Sequence, residues 1–453
     1  MPMKLGPSPL AAAILALGAF AAAGAALGGK AAPRDVMAAE SLAGLYPSAE
    51  AQAGETEKAI AFYNLRLEAD PRSASDQANL AGLYLQRSRE TGEFGDVLRA
   101  EELARASLKL RSRSNPKAFR QLAASLLAQH RFGEAMTIAR ELVRIWPEDP
   151  AHRALLGELQ MEVGDYAAAE VTFGTIRQHA DNLAVAPRLA RWAELHGRPD
   201  EARVIFAGAL RQALYRTDFT GEQVAWYYLR LGDVELRAGD VDAAESAFRS
   251  GLVIAPGDYR LLSAMARLEL ARGRYAKAAE LGEQATATVL DPATLGIVSE
   301  AYALQGDRER ADEYAGAMKV AVQGQAAGIH REWGLFLLDH GGDVAMVTER
   351  ARAELAERRD VYGHDLMAWA LFRAGRPAEA RAQIKQALRL GTRDPLLFFH
   401  AGMIERAAGD DEAARRHLRQ ALELNPRFHP RHAATARAVL DSIPGGGRLR
   451  LPW

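Results

Sequence analysis

Eight glycines, Gly164, Gly197, Gly239, Gly273, Gly306, Gly341, Gly375 and Gly409, follow one another at intervals of 33, 42, 34, 33, 35, 34 and 34 residues. Around each the chain has the same grammar: an apolar periodic run, a turn built on the glycine and a polar residue, and a second run opening near an alanine. "YLRLGDVELRAGDVDAAESAF", "AWALFRAGRPAEARAQI" and "HAGMIERAAGDDEAARRHL" are three of the copies. A fixed period of this length excludes most globular architectures, because each unit must be the same small supersecondary element.

The copy from Ala225 shows what that element is. Tyr228, Leu231 and Gly232 share one helix face, and Ala244, Phe248 and Gly251 share one face of the next. Gly232 and Ala244 are small enough to let two antiparallel helices approach, with Phe248 expected to fill space toward the neighbouring unit. Gly239 can take the positive φ that ends the first helix, Asp240 or Asp242 suits the start of the second, and "IAPGD" stops that one at proline. A single hairpin cannot bury its own apolar surface, whereas a stack of hairpins can.

These residues resemble the tetratricopeptide repeat, through Tyr228, Leu231, Gly232, Ala244, Phe248 and Pro256 in one copy and Phe398, Gly402, Ala414, Ala421 and Pro426 in another. The resemblance implies an all-α, right-handed superhelical solenoid of about ten to twelve antiparallel helix pairs. The boundaries expected are a degenerate stretch over 35–115, the array over 116–426, a capping helix over 427–442 and a short tail over 443–453. In the upstream stretch, "TEKAIAFYNLRLEADP" has the pattern of a second helix. The interval of 42 coincides with "RQALYRTDFTGEQ", an insertion that either lengthens a helix or forms a loop.

Residues 1–34 differ from the rest. Lys4 precedes a charge-free run from Leu5 to Gly29 that ends in small residues, so the segment is expected to direct export, as a cleaved signal or as an anchor over residues 5–29. Either form places the remainder in the periplasm or cell envelope. The 57 Lys and Arg balance 58 Asp and Glu, which leaves no global field for nucleic acid, and membrane contact is expected only through the N-terminal segment. With no cysteine, disulfides, thiolate metal sites and cysteine nucleophiles are excluded. No cofactor is expected: phosphate-loop, dinucleotide, GxSxG and HExxH patterns are missing from the sequence.

Two histidine patterns invite a metal reading. His400 and Glu405 are five apart on one helix, about 140° around its axis, so one ion cannot be shared. His429 and His432 in "HPRH" have permissible spacing but no evident carboxylate partner and are expected to be a chance surface pair. Neither supports catalysis, and the chain is expected not to be an enzyme.

The resemblance implies a groove lined by the first helix of each pair, and hence a protein or peptide partner of unspecified identity. The groove positions are Trp226, Arg260, Arg267, Tyr362, Asp365, Trp369, Phe372, Arg373, Phe399, Met403 and Arg406, with Glu300, Leu229 and Asp233 among their neighbours. Aromatic and arginine side chains are the common anchors of such interfaces, although Trp369 and Phe399 could equally pack between repeats. Some tetratricopeptide proteins clamp a C-terminal carboxylate with Lys and Asn; the corresponding positions here, Arg120, Ala124, Ala154 and Glu158, supply neither. The expected role is a scaffold in the envelope, the alternative being an accessory subunit of an envelope glycan- or peptide-processing enzyme, or that enzyme itself.

Overall fold

A computed structural model describes residues 49–323 and 330–443, together with the isolated positions 39, 44, 46 and 47. The export segment and nearly all of the C-terminal tail lie outside the described residues. Within them are 22 α-helices and no strand. In chain order they are α1 (Ala49–Ala69), α2 (Ala74–Thr91), α3 (Phe94–Leu110), α4 (Pro116–Ala128), α5 (Phe132–Ile145), α6 (Pro150–Glu162), α7 (Tyr166–Gly174), α8 (Ala186–Leu195), α9 (Pro199–Leu214), α10 (Gly221–Arg237) and α11 (Val241–Ile254). The second half comprises α12 (Tyr259–Ala271), α13 (Tyr275–Thr286), α14 (Pro292–Gln305), α15 (Arg308–Gln323), α16 (Arg331–Asp339), α17 (Val344–Glu357), α18 (Val361–Arg373), α19 (Pro377–Ala387), α20 (Pro395–Ala407), α21 (Asp411–Leu424) and α22 (Pro430–Ser442). From α2 to α21 consecutive helices form antiparallel pairs, α2 with α3 through α20 with α21, stacked side by side.

The local chemistry of each pair follows from its turn. All eight periodic glycines have positive φ. Asp240 accepts the Ala243 amide at 3.1 Å and Asp410 the Ala413 amide at 3.0 Å, which satisfies donors the helix itself leaves open. Within the pair, Phe248 lies directly over Gly232, so that a Cβ there would come closer than 3.0 Å to the ring, and it belongs to the same core as Leu261, Leu262 and Met265 of the next unit. Gly157 receives Phe173 and Gly402 receives Leu418 in the same way, each 16 residues on. The glycine is therefore a socket for one large side chain of its own pair. The insertion contributes to both expected forms: α9 continues to Leu214, a loop follows, and α10 starts at Gly221 behind a capping box made by Thr220 and Gln223.

Stacking alone would leave an open groove, but the array returns upon itself. The Arg359 amide donates to the Val163 carbonyl at 3.1 Å, and the Val361 amide to the Tyr166 hydroxyl at 2.8 Å. Thr392 Oγ1 donates to the Leu195 carbonyl at 2.6 Å, and Asn425 Nδ2 to the Leu236 carbonyl at 2.9 Å. These partners are 189 to 197 residues apart in sequence. Three of the periodic glycines, Gly164, Gly197 and Gly239, lie on this seam, each facing a backbone carbonyl where any Cβ would come within 3.0 Å. At Gly306, Gly341, Gly375 and Gly409 the same position opens onto empty space. The seam brings two distant parts of the solenoid face to face and encloses its interior.

Candidate functional site

The enclosed interior has two regions. The first is a chamber of about 480 Å³ between α8, α10 and α12 on one side and α16 to α20 on the other. Six arginines line it: Arg191, Arg237, Arg267, Arg331 and Arg358, which have carboxylate partners, and Arg427 at the C-terminal turn. Arg191 meets Glu162 at 2.8 Å, Arg267 meets Asp233 at 2.5 Å, Arg331 meets Asp365 at 2.8 Å, Arg358 meets Asp360 at 2.6 Å, and Arg237 pairs with Glu194. A charge removed from water needs such a mate, so the lining is a lattice of pairs rather than a field of one sign. Tyr362 faces this space beneath the Arg331 guanidinium, 5.0 Å from its ring. Burial, reinforced by Asp394, pushes the Tyr362 hydroxyl up to about 12, so it remains a neutral donor.

The second region is a packed cluster where α14, α16, α18 and α20 meet the start of α22, a cleft between those helices that the C-terminal turn fills. Asp339, at the end of α16, accepts from Trp369 Nε1 at 2.8 Å and lies 3.2 Å from His432 Nε2 and 3.8 Å from Arg373. Glu300 on α14 pairs with His340 at 2.9 Å and with Arg431 at 2.6 Å. Burial raises the Asp339 carboxyl, but His432, His400 and the indole N–H outweigh it and hold the group at about 2. Glu300 is likewise raised by burial and brought below its usual range by His340, His429 and Arg431. Burial lowers the His340 imidazole, and Glu300 with the Phe336 carbonyl more than restores it, so it lies above the ordinary histidine value.

The sequence-predicted groove residues divide among these regions. Arg267 and Tyr362 line the chamber. Trp369, Phe372, Arg373 and Phe399 gather at the cleft, with Phe372 stacked on Trp369 at 4.8 Å and Phe399 at 5.8 Å from it. Trp369 and Phe399 are only 4% and 2% exposed, so in this structure they are packed between repeats and present no face to a partner. Asp365 is completely buried, held by His400 at 2.7 Å and Arg331 at 2.8 Å. Met403 packs half-buried against the same core, and Arg406 is taken up by Asp411 at the adjoining turn. Trp226 lies elsewhere, against Phe206 and Tyr227, and Arg260 is bound locally by Glu222 at 2.7 Å and Asp258 at 2.6 Å.

The histidine expectations also change. His400 and Glu405 do point to different neighbours, Asp365 and Arg381, as their spacing requires, but both are buried. His429 and His432 are not a chance surface pair. Their rings stack at 4.2 Å, His432 stacks on Phe399 at 4.6 Å, and Asp339 supplies the carboxylate that local sequence did not reveal. Among the described residues no cluster of three or more His, Asp or Glu has metal-binding geometry. Asp339, Arg331 and Arg431 were not legible as site residues, since their partners lie at least 30 residues away.

The tetratricopeptide repeat sequence model matches residues 85–150, 196–259, 229–293 and 366–427, and a second model of the same repeat matches 126–186. The chain is a tetratricopeptide repeat protein. This tetratricopeptide repeat protein is 28% identical over 163 residues to cellulose synthase operon protein C of Xanthomonas axonopodis pv. citri (strain 306), a match covering 34% of this chain and 10% of that one. The chain thus spans about a tenth of that relative's length. Among solved structures it is similar to the APC/C hetero-tetramer Cut9–Hcn1, with a TM-score of 0.44 and 14% identity over 80% of this chain and 62% of the other. It is also similar to Pseudomonas aeruginosa pilF, with a TM-score of 0.37 and 18% identity over 49% of this chain and 97% of the other. No helix among the described residues is long and apolar enough to cross a membrane.

Proposed function

We propose that this protein is a non-catalytic scaffold of the cell envelope whose concave face receives a protein or peptide partner. The observation that carries the reading is the convergence of first helices on one interior. There Arg267, Tyr362 and Arg373 project from rigid elements into the chamber and onto the rim of the cleft. Such groups, held by a repeated packing skeleton, suit recognition more than chemistry, because each charge is already balanced by a neighbour. The charge-free run from Leu5 to Gly29 supports export, and the similarity to the Xanthomonas cellulose synthase operon protein supports an envelope setting. That similarity also favours a particular form of the scaffold, an accessory part of a glycan-processing assembly.

The test is affinity capture from envelope extracts with the full chain and with Arg267→Ala and Arg373→Ala. Both side chains are partly exposed, and Asp233 keeps Arg230 while Asp339 keeps His432 and Trp369, so their loss should leave thermal unfolding nearly unchanged while reducing partner recovery several-fold. Undiminished recovery with both variants would overturn the reading. Fusion of residues 1–40 to a reporter, with the product sized after fractionation, tests export and cleavage.

A further inference from the structure

We propose that the cleft formed by Glu300, Asp339, Trp369 and Phe399 is a docking site for a basic, aromatic-bearing peptide segment, and that the chain's own residues 428–432 occupy it as an internal stand-in. This deepens the scaffold reading and rests on it.

The segment "FHPRH" does more than begin the last helix. Ala433, Ala436 and Leu440 are the residues by which α22 covers the final pair, and all three are buried in the core shared with α21. The five residues before them reach elsewhere. Phe428 places its ring 5.9 Å from that of Phe399, and His432 stacks on the same ring at 4.6 Å with planes only 14° apart. Arg431 Nε lies 2.6 Å from Glu300 and His432 Nε2 lies 3.2 Å from Asp339. Glu300 is 131 residues upstream of Arg431, so capping the last pair does not require this contact.

The cleft's chemistry specifies its occupant. Two carboxylates stand beside an aromatic floor, and both are held ionised by cationic neighbours despite burial. Glu300 already holds His340 and Asp339 lies 3.8 Å from Arg373; each accepts one further basic group, and an aromatic or imidazole ring fits over Phe399. The resident segment meets this demand incompletely. Glu300 Oε1 faces Arg431 without a hydrogen bond, His432 Nδ1 is buried without one, and the Arg431 side chain remains 41% exposed. A segment of similar chemistry with better-aligned donors could displace it. Because the resident is tethered, an outside peptide competes against a high local concentration and is weakened in proportion.

A labelled synthetic peptide with the sequence of residues 425–434, NPRFHPRHAA, provides the probe, titrated onto the full chain. Arg431→Ala/His432→Ala removes the resident side chains that meet Glu300 and Asp339 and leaves the capping alanines and Leu440 in place. The double variant should bind the peptide about tenfold or more tightly than the native chain. Adding Asp339→Asn should erase that gain, and a peptide lacking the phenylalanine should bind more weakly. Equal binding by native and double-variant chains, or binding by neither, overturns the proposal. Native dimers abolished by Asp339→Asn would also overturn it, by assigning the cleft to a second copy. Arg431→Gln, at a partly exposed side chain, provides the same comparison if the double variant loses helical content. The scaffold reading is judged separately. Failure of the peptide titration with Arg267- and Arg373-dependent capture intact sinks only the cleft assignment, while loss of that dependence sinks the scaffold.

Discussion

Replacing Gly164 by alanine tests whether the seam forms in solution, with Gly375→Ala as its control. Both glycines have positive φ, 78° and 73°, so alanine at either pays the cost of the left-handed conformation, about 1–2 kcal/mol. They differ in surroundings. At Gly375 a Cβ enters open space, whereas at Gly164 it meets the Arg359 carbonyl and the Asp360 amide of the facing loop. Relief requires the loop to withdraw. That withdrawal breaks the Arg359 amide bond to Val163, the buried Val361 amide bond to Tyr166, and the Arg358 contact with Glu162 at 3.1 Å. Two backbone hydrogen bonds contribute about 1 kcal/mol each, so Gly164→Ala should lose about 3–4 kcal/mol where Gly375→Ala loses about 1–2. Denaturant unfolding measures the difference. Hydrogen exchange localises it, because the Arg359 and Val361 amides should lose protection in Gly164→Ala and keep it in Gly375→Ala. Equal destabilisation by the two substitutions, with both amides unchanged, would show that the array is open in solution and refute the closed interior.

Further outcomes follow from single features. Phe248→Ala empties the socket over Gly232 and should cost about 3–5 kcal/mol, whereas Gly232→Ala overfills it and should cost about 1–3, both read from denaturant midpoints. Asn425→Ala leaves the buried Leu236 carbonyl without its donor across the seam and should cost about 1–3 kcal/mol in the same assay. Burial, with the charge of His432 adding to it, lowers His429 to about 3; a histidine kept neutral in the fold is protonated more readily when unfolded. Its contribution is complete above the unfolded value near 6.5 and is lost as pH falls toward 3, so thermal stability should decline across that window and decline less in His429→Asn, which keeps an N-cap acceptor. The raised His340 behaves oppositely: its pairing with Glu300 stabilises fully below about 6.5 and is lost as pH rises through the folded value, a loss that His340→Asn should remove. Asp339, held at about 2, adds stability above the ordinary carboxylate value that disappears as pH falls through 2, and Asp339→Asn should flatten that acid limb.

The site was less legible than the fold because the information is carried over different distances. Trp369 and Phe399 read as groove anchors from their repeat positions, but in the structure both are buried in the core between repeats. The ring of His432 covers Phe399 there, and the same imidazole binds Asp339, which also holds the Trp369 indole. Nothing in "HPRH" itself announces that cover, since the carboxylate it meets belongs to α16, about 90 residues upstream. In the core, helical spacing gives Phe248 a face, but only the structure shows that its ring fills the socket over Gly232.

The amino-acid sequence by itself determined whatever repeats within some 34 residues: the alternation of helices, the glycine at eight of the turns, the aspartate that follows it in some of them, as at Asp240 and Asp410, and the small positions that let a pair close. These are short-range matters of dihedral preference, capping and one apolar stripe against another. Only the tertiary structure decided that the interior is closed. Closure depends on small rotations between successive pairs, which no single repeat encodes but which accumulate until Gly164, Gly197 and Gly239 meet loops nearly 200 residues further along the chain. The same accumulation brings Arg431 to Glu300 and His432 to Asp339. The part of the groove over Phe399 is thereby filled by the chain's own C-terminal turn, beside a chamber of about 480 Å³.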